Sequence, residues 1–263
     1  MHPILFTLDM FGKPVSIHTY GVMIALGAFA FYIYGSTIAK KELGIPPETI
    51  QALARIIIIS AVIGGKLFYY LEEPSFYFSP PSNMLVNFRT GFVFYGSLLF
   101  VIPSVIWFYR KHKLPVMPML DIIAIGGLIL HAFGRMGCFF AGCCYGSETD
   151  GPIFITFTDA ATSAPTNVHL HPTQLYSLTM LLGILAILLM FKRHKRFEGQ
   201  LFFIYLMLYA IGRGFIEIFR GDLRRGFIIE DILSHSQLIS IMLIAVVGFI
   251  YIRMLKKSKP LDS

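Results

Sequence analysis

Long apolar stretches alternate with short polar connections along the whole of this chain. Seven stretches are long enough to cross the hydrocarbon core of a bilayer, which takes about 20 helical residues. The pattern therefore predicts an all-α integral membrane protein with seven transmembrane helices. The predicted spans cover residues 17–37, 47–72, 91–109, 118–138, 172–191, 200–220 and 236–255.

The composition supports this prediction and excludes an ordinary soluble domain. Of the 263 residues, 56% are hydrophobic and only 14% are charged, and the mean hydropathy is +0.69. Such values are far outside the range of soluble globular proteins. Residues 1–16 lack a basic start followed by an apolar core, so we expect no cleavable signal peptide.

The 22 basic residues are distributed unevenly between the connections. With the amino terminus outside, the inner connections carry 13 of them, the outer connections carry five, and four lie within helices. The positive-inside rule therefore predicts an outer amino terminus and an inner carboxyl terminus. This distribution accounts for the net charge of +7, and we expect no nucleic-acid partner. The inner connections are 38–46, 110–117, 192–199 and 253–263.

The longest connection, residues 139–171, contains no lysine or arginine and lies on the predicted outer side. Apolar and polar residues alternate over 153–158, which is typical of a short strand. We expect one membrane domain over residues 1–263, with a small outer cap of irregular and β structure at 139–171.

Arg135 stands inside an apolar helix, where an arginine costs roughly 3 kcal/mol and so needs a partner or a task. No acid of its own helix lies within two turns, and a rise of 1.5 Å per residue places Arg135 near the outer face. His131 and Cys138 share its helical face. A guanidinium suits bidentate phosphate binding, so we expect an anionic lipid headgroup here. His131 is either a structural hydrogen-bond partner or a proton acceptor.

A second polar stripe runs through the sixth predicted span, where Tyr209, Arg213 and Glu217 are spaced four residues apart. Two interpretations stay open for this stripe. Arg213 and Glu217 form a buried ion pair that holds helices together, or Arg213 is a second cation of a lipid site. The same depth count places three further polar residues in the outer half of the membrane: Tyr20, Lys66 and Tyr95.

Cys138, Cys143 and Cys144 form a C-x4-C-C cluster at the start of the outer cap. The spacing lacks the C-x-x-C pairs typical of structural zinc sites, so we expect no metal and no cofactor. A disulfide, a tight glycine turn lined by small residues, and a covalent lipid intermediate are the alternatives for this cluster. Further along, HPTQLY at 171–176 predicts the beginning of a helix, with Pro172 in its first turn and Gln174 bonded nearby.

Motifs over nearly the whole chain resemble the prolipoprotein diacylglyceryl transferases. The resemblance implies transfer of a diacylglyceryl group from phosphatidylglycerol to the lipobox cysteine of a preprolipoprotein signal peptide, which forms a thioether. It also implies a multi-pass protein of the bacterial inner membrane whose active site faces the outer leaflet. The motifs are SIHTYGVMIALG at 16–27, GGKLFYY at 64–70, GFVFYGSLL at 91–99, GRMGCFFAGCCYG at 134–146, HPTQLYS at 171–177, YAIGRGFIEIFRGD at 209–222 and LSHSQLISI at 233–241.

The resemblance also implies roles for particular residues. Arg135 matches the family's phosphatidylglycerol-binding arginine, Arg213 matches its essential late arginine, and Lys66 stands where an arginine is usual. The expected catalytic residues are Arg135, Arg213, Tyr95 and His131. The expected lipid-binding residues are Arg135, Arg213, Tyr20, Lys66, Tyr209 and Glu217.

The chain departs from the family pattern at several polar positions. Tyr95 stands where a histidine is usual, Cys138 and Cys143 replace an asparagine and a glutamate, and Ser177 replaces another glutamate. Tyr95, His131 or direct ionisation of the substrate thiol are the alternatives for removing the thiol proton. A divergent member acting on another phospholipid or acceptor is the main rival hypothesis. A non-enzymatic transporter or receptor is the other, although the inverted repeats of transporters are not visible.

Overall fold

The computed structural model describes residues 2–10, 13–78, 80, 82–86, 91–220, 227–229 and 233–258. Helices make up most of this part of the chain. In chain order the elements are β1 (Ile4–Met10), β2 (Lys13–His18), α1 (Thr19–Leu43), α2 (Pro47–Glu72), α3 (Pro74–Phe78), α4 (Ser82–Val86), α5 (Phe94–Lys111), α6 (Val116–Ala141), β3 (Ile155–Thr156), β4 (His169–Leu170), α7 (Thr173–Phe191), a 3-10 turn (Lys192–His194), α8 (Gln200–Glu217), β5 (Phe227–Ile229), β6 (Leu233–Ser234) and α9 (His235–Lys257).

Six helices of the described residues are long and apolar enough to cross a membrane: α1, α2, α6, α7 with the turn that follows it, α8 and α9. The chain is therefore a multi-pass, mainly helical membrane protein. The remaining predicted span, 91–109, forms α5, an 18-residue helix with Pro103 inside it and Arg110 and Lys111 in its last turn. These residues lower its apolar character, and a seventh span stays a prediction.

The chain divides into two compact units, one of Met1–Tyr34 with Leu120–Ser263 and the other of Gly35–Met119. In the first unit, buried aliphatic side chains of α6, α7 and α8 form a common core. This core fixes the packing of α7 with α6 and α8, the two helices that carry the polar stripes. Its buried members are Ala124, Ile125, Leu128, Leu181, Ile184, Leu188 and Leu201.

Asp121 on α6 holds the first turn of α8. Its carboxylate accepts hydrogen bonds from the backbone N–H groups of Gly199 (2.9 Å), Leu201 (2.9 Å) and Phe202 (3.2 Å). Gly199, at the N-cap, has no side chain to satisfy these donors. A negative charge at this end also complements the helix dipole. Asp121 therefore takes the place of a local cap, a role that no local pattern in the sequence predicts.

The amino terminus folds into a hairpin that the hydrophobic pattern did not predict. β1 and β2 pair antiparallel, with Thr7 opposite Ser16. The backbone N–H of Thr19 donates to the carbonyl of Pro3 at 2.9 Å, which ties the hairpin to the beginning of α1. At the other end of the chain, Ser234 and Gln237 form a reciprocal capping box at the beginning of α9.

In the second unit, α2 and α5 pack closely through small residues. Gly64 and Gly96 face each other, and no side chain larger than hydrogen fits at either position. The Ser97 hydroxyl donates to the carbonyl of Ala61 at 2.8 Å, and the hydroxyls of Ser60 and Ser104 are 2.9 Å apart. Small residues and interhelical hydrogen bonds are the usual means of helix association in a membrane.

Candidate functional site

The carboxyl end of α6 is a Schellman motif that brings two cysteines together. Gly142 has φ +68°. Its N–H bonds to the carbonyl of Phe139 (3.3 Å), and the N–H of Cys143 bonds to the carbonyl of Cys138 (3.1 Å). A Schellman motif brings two side chains into contact: that of the residue three positions before the helix cap and that of the residue two positions after it. Here those residues are Cys138 and Cys143, whose thiol donates to the Cys138 carbonyl at 3.7 Å.

Cys144 turns its thiol to the same side. It has φ +59°, a left-handed conformation that is uncommon for a residue with a side chain. As a result the sulfur atoms of Cys138, Cys143 and Cys144 all lie within 4.8 Å of one another. All three are free, half-buried thiols, and the structure has no disulfide between them.

The beginning of α7 fixes the turn of residues 138–144, the cysteine turn. The Thr173 hydroxyl donates to the carbonyl of Cys144 at 2.7 Å, and the Gln174 amide donates to the carbonyl of Cys143 at 2.8 Å. Thr173 is 2% exposed and Gln174 is fully buried. Pro172 lies one residue before the helix, as its N-cap, so the predicted boundary is correct to within one residue. The hydrogen bond expected of Gln174 is confirmed.

The loop after the cysteine turn is held by residues just before α7 and just after α8. The Gly146 N–H donates to the carbonyl of His171 and the Ser147 N–H donates to the carbonyl of Phe219, each at 2.9 Å. The His171 imidazole lies 3.2 Å from the Tyr176 hydroxyl and packs edge-on against Phe219. These contacts give His171 a structural role at the junction of the loop with α7 and α8.

The predicted cap contains a small core of its own. Phe157, Ala164 and Leu170 are buried together, and β3 pairs antiparallel with β4. The strand expected within 153–158 is thus confirmed as the two residues of β3. Phe154 stacks on the imidazole of His169, with ring centroids 3.9 Å apart. Irregular structure and a small β-sheet thus follow α6, and their place as an outer cap stays a prediction.

Arg135 lies half-buried one turn before Cys138. Within the described ranges it forms no hydrogen bond and no ion pair with a carboxylate. Its charge acts on Cys138 and Cys144, and on Tyr20 of α1. Close packing of α1 on α6 explains the position of Tyr20, because a Cβ added at Gly137 would lie 3.1 Å from the Tyr20 ring. Arg135, Tyr20 and the three thiols therefore form one polar cluster.

Arg213 and Glu217 form an ion pair one turn apart on α8. Their side chains are only 15% and 9% exposed. Both lie on α8, so the pair by itself joins no two helices, and both interpretations of this stripe stay open. On the same stripe, Tyr209 packs against His131 of α6, with ring centroids 5.4 Å apart. The two stripes predicted from periodicity thus meet at His131 and Tyr209.

The pKa values of the neighbouring thiols Cys143 and Cys144 are shifted in opposite directions. Hydrogen bonds from Cys138 and Cys143 lower the pKa of the Cys144 thiol, and the charges of Arg220 and Arg135 add to this against the effect of burial. Hydrogen bonds with Cys138 and Cys144, together with burial, raise the pKa of the Cys143 thiol. A negative charge in this cluster is therefore best placed on Cys144.

Lys66 and Tyr95 belong to the second unit. The Lys66 ammonium donates to the carbonyl of Gly91 at 2.9 Å and lies 5.5 Å from the centre of the Tyr69 ring. Tyr95, in the first turn of α5, is 75% exposed. Lys66 therefore holds the backbone just before α5. This contact was not predicted from the sequence, where Lys66 was expected to bind lipid.

Comparison with known proteins agrees with these features. A model of the prolipoprotein diacylglyceryl transferase family matches residues 3–253, and the chain belongs to this family. It is 37% identical over 251 residues to a phosphatidylglycerol–prolipoprotein diacylglyceryl transferase of Clostridium tetani, covering 95% of this chain and 97% of the relative. It is 33% identical over 239 residues to a second such transferase of Clostridium perfringens, covering 90% of each. A relative from Synechococcus elongatus is 31% identical over 257 residues, covering 94% of this chain and 87% of the relative.

Proposed function

We propose that this protein transfers the diacylglyceryl group of phosphatidylglycerol to the lipobox cysteine of preprolipoproteins. The structural observation that carries the proposal is Arg135. It is a half-buried cation that has no carboxylate partner among the described residues, and it lies beside Tyr20 and the cysteine turn. The relatives bear the name of this activity. A phosphate monoanion is the ligand that a guanidinium in such a position binds best.

In the proposed reaction the thiolate of the acceptor cysteine attacks the terminal glycerol carbon of the lipid. The carbon–oxygen bond to phosphate breaks, its electron pair stays on the phosphate oxygen, and glycerol phosphate leaves. Arg135 stabilises the charge that gathers on the departing phosphate. A preorganised cation in a site of low dielectric constant is suited to this role.

The α8 stripe supplies the second part of the site. Glu217 pairs with Arg213 and holds its side chain in one position. We therefore assign to Arg213 the role of positioning the lipid headgroup. Tyr209 lines the same face and packs on His131. Tyr20, next to Arg135, is a further proposed lipid-binding residue. For Lys66, in the second unit, lipid binding stays a prediction from the sequence.

Two side chains remain candidates to accept the proton of the substrate thiol. His131 lies one turn from Arg135 on the same face of α6, and its ring already packs on Tyr209. Tyr95 is exposed at the beginning of α5. A His131→Gln variant keeps a hydrogen-bonding group but cannot take up a proton near neutral pH. Loss of transfer in this variant would assign the proton transfer to His131, and full activity would exclude it.

The proposed site also needs an orientation in the membrane. We propose seven spans with the amino terminus and the cap outside, in the bacterial inner membrane, with the active site at the outer leaflet. The test introduces a cysteine at Ser163 in the cap or at Lys257 at the end of α9. A membrane-impermeant maleimide should label the first in intact cells and the second only after permeabilisation, each relative to the unmodified chain. The reverse result would contradict the orientation.

The transfer itself is tested with the purified protein in vesicles that contain phosphatidylglycerol and a synthetic lipobox peptide. Mass spectrometry should detect a diacylglyceryl thioether on the peptide, and no product should form with phosphatidylethanolamine or with a Cys→Ser peptide. Consumption of phosphatidylglycerol without peptide modification would favour a different acceptor. No reaction with the lipid would contradict the proposal, and rescue of a transferase-depleted cell provides the matching assay in vivo.

A further inference from the structure

The three cysteines are assembled by the backbone rather than by chance proximity. The Schellman motif brings Cys138 and Cys143 together across five positions of sequence, and the positive φ of Cys144 adds the third sulfur. Two buried side chains of α7, Thr173 and Gln174, then hold the carbonyls of Cys144 and Cys143 in place. A turn fixed in this way keeps its thiols in one position.

The dimensions of the cluster fit a single metal ion. Zinc–sulfur bonds are about 2.3 Å long, so two sulfurs on a tetrahedral zinc ion lie about 3.8 Å apart. The sulfur atoms of Cys138, Cys143 and Cys144 lie within 4.8 Å of one another, and rotation about their Cα–Cβ bonds closes the difference. The C-x4-C-C spacing of the sequence did not indicate such a site, because the backbone reverses direction within it.

The electrostatic surroundings fit the same ion. Three thiolates and one Zn²⁺ carry a net charge of −1, which needs nearby cations in a half-buried position. Arg135 and Arg220 both act on Cys144. The part of the chain that the structure describes places no other group of three His, Cys, Asp or Glu ligands close enough to share an ion.

We propose that Cys138, Cys143 and Cys144 bind one Zn²⁺ ion through their thiolates and leave a fourth coordination position for the acceptor cysteine of the substrate. Three protein ligands with one open position is the arrangement of catalytic rather than structural zinc sites. A thiol that coordinates zinc is deprotonated outright. The second half of this proposal rests on the proposed transferase function, whereas the metal site does not.

The step that follows is balanced without any change of oxidation state. On binding, the acceptor thiol gives its proton to the base of the proposed reaction, for which His131 is a candidate, and its sulfur remains on zinc as thiolate. This sulfur then forms a bond to the glycerol carbon while the carbon–oxygen bond to phosphate breaks and the phosphate oxygen keeps the electron pair. The product thioether is uncharged and a weaker zinc ligand, so it dissociates. Arg135, three residues before Cys138 on the same face of α6, places the phosphate beside this sulfur.

The metal site is tested first by elemental analysis of the full-length protein purified anaerobically in detergent, without chelator, from zinc-supplemented cells. We expect stoichiometric zinc in the unmodified protein and its loss in Cys138→Ser, Cys143→Ser and Cys144→Ser. Ser147→Ala, in the loop beyond the turn, is the matched control and should keep the metal. A metal-free protein with a disulfide between two of the cysteines, or copper in place of zinc, would overturn the proposal.

The open position is tested by cobalt substitution of the unmodified protein, which does not depend on whether the variants fold. Co²⁺ should show thiolate charge-transfer absorption and the visible bands of a tetrahedral site. Addition of a lipobox peptide should shift both, and the Cys→Ser peptide should leave them unchanged. An unchanged spectrum with both peptides would overturn the role in acceptor binding. A peptide-dependent shift without lipid transfer would instead contradict the transferase function and leave the metal site standing.

Discussion

The rings of His131 and Tyr209 lie with their centroids 5.4 Å apart and join α6 to α8. Eight residues before Tyr209, the N–H of Leu201 is bonded to Asp121, ten residues before His131. Because both contacts follow the same order along the two helices, α6 and α8 run parallel. Arg135 and Arg213 therefore each lie one turn beyond the contact between His131 and Tyr209, on neighbouring helices. This alignment is why we place both arginines in one site.

Arg135→Ala should lower kcat/KM for diacylglyceryl transfer by about 100-fold or more, because it removes a preorganised cation from the departing phosphate. Arg135→Lys should retain part of the activity, since it keeps the charge but loses the bidentate fork. The measurement is transfer to a lipobox peptide in phosphatidylglycerol vesicles. Arg193→Ala, in the exposed 3-10 turn, is the matched control and should be fully active. Unchanged activity of Arg135→Ala would remove this residue from the mechanism.

Glu217→Gln should destabilise the protein by about 2–3 kcal/mol, because the buried charge of Arg213 loses its ion pair with Glu217. Arg213→Gln should have a similar cost for the converse reason. The double variant should lose less than the sum of the two, since neither charge then remains. Reversible unfolding in mixed detergent micelles measures all three free energies. Additive losses would show that the two side chains do not stabilise each other.

Asp121→Ala should destabilise α8 at its first turn, at a cost of about 1–3 kcal/mol, because buried N–H groups lose their acceptor. Hydrogen exchange should accelerate at Gly199, Leu201 and Phe202 before it does elsewhere in the helix. Glu198→Ala is the control, since this carboxylate is 41% exposed and pairs only with Lys195 among the described residues. If the three amides keep their protection in Asp121→Ala, another group must cap the helix.

Gly146→Ala should destabilise the protein at the loop after the cysteine turn by about 1–3 kcal/mol, the usual cost of overpacking. A Cβ at this position would lie 2.6 Å from the His171 Cβ and 2.9 Å from its carbonyl oxygen, so the backbone has to move. Gly183→Ala in α7 is the matched control, because nothing lies within 4 Å of its added Cβ. It should stabilise the helix by up to about 1 kcal/mol. Equal melting temperatures for the two variants would contradict this account.

Much of the helical architecture follows from the sequence alone. Six of the seven predicted spans are helices long and apolar enough to cross a membrane. The seventh is a helix whose apolar character is reduced by Pro103 and its basic end. The shared faces of His131 with Arg135, and of Tyr209 with Glu217, also follow from the sequence. Hydrophobic length and helical period are local properties, so the order of residues is enough to fix them.

Other features are decided only by tertiary structure. The sequence does not show that Asp121 caps α8 or that β1 and β2 pair, because both depend on partners distant in the chain or on weak local signals. Nor does the C-x4-C-C spacing show that three thiols share one position. That arrangement needs the helix of Cys138 to end at Gly142 and Cys144 to take a left-handed conformation, with Gln174 holding the turn from another helix. Local periodicity places side chains along a helix, whereas only packing between elements brings distant groups to one point.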